Sequence, residues 1–92
     1  MPQTAEDLIE IDLDGKVVPV PRHVVSALAA AAATRAGASE RHRDLSLLLH
    51  RALELGRATL GRGEVRVLCA VLEEEHPDRF GPAGSELRRA AA

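Results

Sequence analysis

Four histidines, a single cysteine and a run of three glutamates are the residues of this chain whose chemistry could reach beyond packing. His23, His42, His50, His76 and Cys69 share none of the paired short spacings by which structural zinc sites collect ligands, so no metal site is expected. A nucleophile would need a base held beside it. Ser26, Ser39, Ser46, Ser85 and Cys69 lie in no such motif, and the Gly-x-Ser-x-Gly turn that exposes a nucleophilic serine is absent. Gly56, Gly61 and Gly63 are not followed by the Gly-Lys-Ser/Thr that completes a phosphate-binding loop. Glu73, Glu74 and Glu75 are consecutive, so on a helix they splay rather than share a proton. These residues predict a chain with no catalytic residue, no metal and no cofactor, whose function lies in binding.

The side chains that could bind must be placed by local structure. From Ile9 the chain alternates: Ile9, Ile11 and Leu13 are apolar while Glu10, Asp12 and Asp14 are acidic, the period-2 pattern of a half-buried strand. Asp14-Gly15 supplies the two positive φ angles of a type I′ turn and predicts a hairpin over residues 8–20. That turn sets Leu13 opposite Lys16, Ile11 opposite Val18 and Ile9 opposite Val20, which gathers the apolar residues on one face. Pro19 lacks an amide hydrogen, so the return strand is expected at a sheet edge with only short pairing there.

Pro21 suits the first turn of a helix, and the alanine-rich run that follows predicts one over 21–36, ended by Gly37. Residues 38–44 read as a charged connector, with Asp44 as the N-cap of a second helix over 45–60. Its buried stripe would be Leu45, Leu48, Leu49, Ala52, Leu53 and Leu60. Leu47 and Leu55 fall off that stripe, which fits contact with another subunit or a broadly buried helix. Gly61 and Gly63 suggest a tight turn into a third helix over 64–75, so that helices two and three form an antiparallel hairpin. Residues 1–7 read as a flexible lead-in, and residues 77–92, after Pro77, as a mobile or lightly docked tail.

The expected fold is thus mostly α (α+β): an N-terminal β-hairpin followed by three helices, ββααα, in one globular domain over 8–76. Ninety-two residues, with Phe80 the only aromatic, give a small aliphatic core, and such cores often gain stability by dimerising. With Cys69 alone there is no intramolecular disulfide, which fits a reducing compartment. The acidic N-terminus lacks the basic region of a secretory signal, and no apolar run approaches the roughly 18 residues of a membrane span. A cytoplasmic location is expected, and the excess of arginine over lysine suggests a GC-rich bacterial genome. The net charge of −2 hides a division: residues 1–15 carry five acids and no base, residues 16–67 nine bases and four acids. Such a basic middle is either a solvated surface or a surface for a polyanion.

Lys16-Val17-Val18-Pro19-Val20-Pro21 leads into the alanine-rich helix, and after a turn comes Leu45-Ser46-Leu47-Leu48-Leu49-His50-Arg51-Ala52-Leu53. Over residues 16–60 this order resembles the ribbon-helix-helix fold of small bacterial repressors and antitoxins. The resemblance implies strands paired across a dimer in the DNA major groove and phosphate contacts at the start of the second helix. Lys16, Arg22, Arg41 and Arg43 would then be the DNA contacts. The strand offers Val17, Val18, Pro19 and Val20, which hydrogen-bond poorly to base edges, and the Asp-Gly turn favours pairing within the chain.

Weighed together, the residues favour a noncatalytic regulatory or accessory module, a homodimer that also binds a protein partner. Leu47, Leu55 and Val67 would make the contact, with Arg51 and Arg57 at its rim. A DNA-binding regulator of the ribbon-helix-helix type is the alternative.

Overall fold

The computed structural model describes residues 8–34, 39–75 and 79–91. It is mostly α with a small sheet, and it begins with the hairpin: β1 (Leu8–Leu13) pairs antiparallel with β2 (Lys16–Pro21). Both turn residues have positive φ, Asp14 at 54° and Gly15 at 104°, and the Asp12 carboxylate accepts the Gly15 amide at 2.7 Å. The register is the one this turn dictates, with Ile11 opposite Val18 and Ile9 opposite Val20.

Pairing runs the whole length of both strands, to Leu8 opposite Pro21, and is not cut short at Pro19 as the sequence suggests. The reason lies in which way the amides face. The Glu10 amide donates to Gly56 on the far side of β1. Glu10 and Pro19 are therefore a non-hydrogen-bonded pair, and the missing Pro19 donor would have faced the free edge of β2.

Helix α1 (Arg22–Thr34) follows directly, burying Val24, Val25, Leu28, Ala29, Ala31 and Ala32. Part of the alanine run serves close packing: Ala29 and Ala32 are fully buried, and the buried Ser46 hydroxyl of α2 donates to the Ala29 carbonyl at 2.9 Å. The expected end of this helix, 35–37, and the lead-in 1–7 lie outside the described residues.

Helix α2 spans Glu40–Leu55, not 45–60. Its N-cap is Ser39, with extended φ and ψ of −87° and 176°, and not Asp44, which lies inside the helix. His42 Nδ1 accepts the Ser39 amide at 3.3 Å and lies 2.9 Å from the Ser39 hydroxyl, filling the place that Glu or Gln takes in a capping box. The helix stops at Leu55 because Gly56 turns left-handed, φ 81°, and returns its amide to the Ala52 carbonyl at 2.7 Å.

The next four residues form a strand. β3 (Arg57–Leu60) lies parallel to β1, Glu10 beside Arg57 through Leu13 beside Leu60, giving the sheet order β2-β1-β3. Helices α2 and α3 (Arg62–Glu74) do pack together, but a strand joins them where a Gly61–Gly63 turn was expected. Gly61 is the N-cap of α3, and its amide is bound by Glu64 at 2.9 Å.

Most of the tail is helical. Residues Gly81–Ala91 form α4, and Phe80 and Leu87 are buried in the same core as the sheet, α1 and α3. Two apolar anchors two turns apart suffice to dock a short helix. Gly84 leaves room for the Phe80 side chain over the first turn of α4, since a Cβ there would stand 2.7 Å from that of Phe80. The result is a two-layer arrangement among the described residues. Ile9, Ile11, Leu13, Val18, Val20 and Leu60 face the helices, while Glu10, Val17, Pro19, Arg57 and Thr59 leave the other face of the sheet open.

Candidate functional site

Among the described residues no three His, Cys, Asp or Glu side chains gather into a group that could hold a metal. His23 and His50 are exposed, His42 caps α2, and His76 lies outside the described residues. Cys69 is half-buried on α3, and its thiol donates to the Glu73 carboxylate at 3.6 Å. Burial first, and then the hydrogen bond and negative charge of Glu73, push the Cys69 thiol above its ordinary pKa, while Arg88 pulls weakly the other way. A thiol held protonated is a poor nucleophile. Glu73 and Glu75 do splay, the first toward Cys69 and the second toward Arg79.

The apolar surface concentrates elsewhere. Leu47 and Leu55 are each 66% exposed, the most exposed of the large aliphatic side chains among the described residues. They lie eight residues apart on α2 with Arg51 between them, so that Leu47, Arg51 and Leu55 form one ridge of the helix. Leu55 and Arg51 also line a cleft of about 190 Å³ with Leu48, Ala52, Arg57, Ala58 and Thr59, formed where α2 passes β3. Its floor is aliphatic, and its rim carries two arginines and no acid.

Three of the five expected contact residues, Leu55, Arg51 and Arg57, thus meet in one cleft. Val67 does not. It is half-buried on α3 and lines a neighbouring cleft of about 290 Å³ with Arg41, Asp44, Gly63 and Glu64. Residues 41, 44, 48, 52 and 55 share one side of α2 by helical spacing, so the two clefts follow one another along it. Leu47 stands outside both.

The residues expected to touch DNA are spread over different elements. Lys16 is exposed beside the hairpin turn, in a cleft of about 400 Å³ that also includes Asp14, Arg62 and Arg66. Arg22 is committed to structure, donating to the Leu53 carbonyl at 2.6 Å and tying the start of α1 to the end of α2. Arg41 and Arg43 are exposed in the first turn of α2, and β2 is paired within the chain.

Ala58 and Thr59 could not be found as cleft residues from the sequence, because residues 57–60 read as the last turn of a helix. One signal was present: Gly56 and Gly61 bracket Arg57-Ala58-Thr59-Leu60, and a glycine inside a helical pattern often marks its end. Compared with protein-family models, with curated proteins and with solved structures, the chain matches none.

Proposed function

We propose that this chain is a noncatalytic regulatory or accessory module that acts by protein–protein contact and associates with itself through the Leu47–Leu55 side of α2. The observation that carries the reading is that exposed ridge, two leucines two-thirds open to water beside an aliphatic cleft rimmed by Arg51 and Arg57. The protein operates in this reading by presenting a preformed surface, with no bond made or broken.

Magnitudes set the expected strength. Full burial of a leucine is worth about 1.5–3 kcal/mol. Four leucines already one-third covered, two from each copy across a two-fold contact, offer about 4–8 kcal/mol against an association cost of ~4–15 kcal/mol. The leucines alone thus meet only the lower part of that cost, and the dimer is expected to be weak, micromolar or looser.

Light scattering over a concentration series tests this. The wild-type chain should pass from monomer to dimer, and Leu47→Glu should remain monomeric with an unchanged circular dichroism spectrum. A wild-type chain that stays monomeric at millimolar concentration would contradict self-association. Salt-sensitive binding of duplex DNA, lost on charge reversal at Arg41 and Arg43, would instead move the assignment to a DNA-binding regulator.

A further inference from the structure

The cleft between α2 and β3 has a wall that the leucine ridge lacks, namely the main chain of a sheet edge. β3 is the last strand on its side, and it bonds to β1 through alternate residues: Gly56 accepts from Glu10 at 3.1 Å and Leu60 accepts from Asp14 at 3.0 Å. By the alternation of a strand, Ala58 faces β1 as well, and the amides and carbonyls of Arg57 and Thr59 point away from it. Among the described residues these four groups have no hydrogen-bond partner. Natural proteins usually blunt such an edge with proline, a bulge or a covering element, and β3 has only its shortness and the exposed Arg57.

The two sides of that edge differ in chemistry. On the helix side lie Leu48, Ala52, Leu55 and Ala58, an aliphatic floor. On the open face of the sheet lie the side chains of Arg57 and Thr59, with Arg51 at the rim of the cleft. Neither Arg51 nor Arg57 has an ion-pair partner within 4.0 Å among the described residues. A strand laid along this edge would alternate, with every second side chain on the aliphatic floor and the others beside Arg57.

The opposite edge of β3 already accepts such a strand. There β1 sets Ile11 and Leu13 toward the helices and Glu10 and Asp12 toward the open face, Glu10 directly beside Arg57. We propose that the free edge of β3 and its cleft with α2 bind an extended partner segment of the same character, acidic and aliphatic in alternation, as an added strand. Main-chain bonds to Arg57 and Thr59 hold the segment, the floor selects its aliphatic positions, and Arg57 and Arg51 select acids. This inference rests on the protein-binding reading above and names the partner's chemistry. It does not depend on self-association.

The probe is a tagged peptide with the order Leu-Ile-Glu-Ile-Asp-Leu, beside a control in which both acids are lysine, each titrated against the full chain by fluorescence anisotropy. The acidic peptide should bind at least about tenfold more tightly than the control, a ratio that falls with added salt. Thr59→Pro removes one edge donor while leaving every bond to β1, and it should weaken the acidic peptide by about tenfold with an unchanged circular dichroism spectrum. Arg57→Glu should reverse the preference between the two peptides.

Equal binding of both peptides, no binding of either, or full affinity in a folded Thr59→Pro chain would overturn the proposal. So would a wild-type dimer that Thr59→Pro dissolves, because the occupant of the edge would then be a second copy. Light scattering separates this inference from the reading it rests on. A dimer that binds no peptide sinks the strand addition alone, and a monomer that binds the acidic peptide sinks self-association alone.

Discussion

The sulfur of Cys69 shows how one position is decided by its neighbours. Cys69 is half-buried on α3 with its thiol turned to Glu73. Burial and the Glu73 carboxylate both favour the protonated form, so alkylation at mildly basic pH should be slower than for an unstructured cysteine. Glu73→Gln should lower the thiol pKa and speed the reaction, which a thiol-reactive dye can follow. The folding consequence has a definite sign. With the folded pKa above the unfolded one, this group's stabilising contribution is complete below the unfolded thiol pKa and is lost as pH rises through the folded value. Neither the Glu73 contact nor the role of His42 as a cap was legible in the sequence, since both depend on where a helix places a side chain four or three residues away.

Elements were legible in proportion to how local their causes are. The register of the hairpin was readable because the Asp14-Gly15 turn sets it and the strict alternation agrees, while the length of pairing past Pro19 was not. The start of α2 was not, because Ser39 and Asp44 are both good N-caps and only geometry chooses between them. β3 was hidden for a deeper reason. Leu60 falls on the helical stripe of α2 and is buried in either conformation, so periodicity cannot distinguish them, and pairing with β1, a distant partner, decides the outcome. Gly56 is the hinge of that decision. Gly56→Ala would place a side chain at φ 81° and is expected to cost about 1 kcal/mol, read as a lower urea midpoint with little change in slope. The site inherits this pattern: Arg51 and Leu55 could be picked from helical spacing, whereas the strand edge beside them left no sign but the bracketing Gly56 and Gly61.

Across the whole molecule, small size makes every anchor count. The described residues share one aliphatic core, and α4 enters it with Leu87, which is wholly buried. Within the tail read as mobile or lightly docked from its glycines and prolines, Phe80 and Leu87 lie two turns apart and both reach the core. Leu87→Ala should cost about 2–5 kcal/mol, a large part of the ~5–10 kcal/mol available to a domain of this size, and thermal unfolding would show it as a drop of many degrees. A fall of only a degree or two would mean that α4 docks loosely. No helix among the described residues is long and apolar enough to cross a membrane. The exposed large apolar side chains among the described residues fall in two places, the Leu47–Leu55 ridge of α2 and Leu8 with Val17 on the hairpin.

Which of these two surfaces the molecule uses decides the account. Amide shifts of the labelled full chain, followed by nuclear magnetic resonance through a dilution series, read both at once. Shifts that change with concentration and cluster at Leu47, Arg51 and Leu55 on α2 are the predicted result. Spectra that do not change with concentration, or changes confined to Leu8 and Val17 on the open face of the sheet, would contradict it.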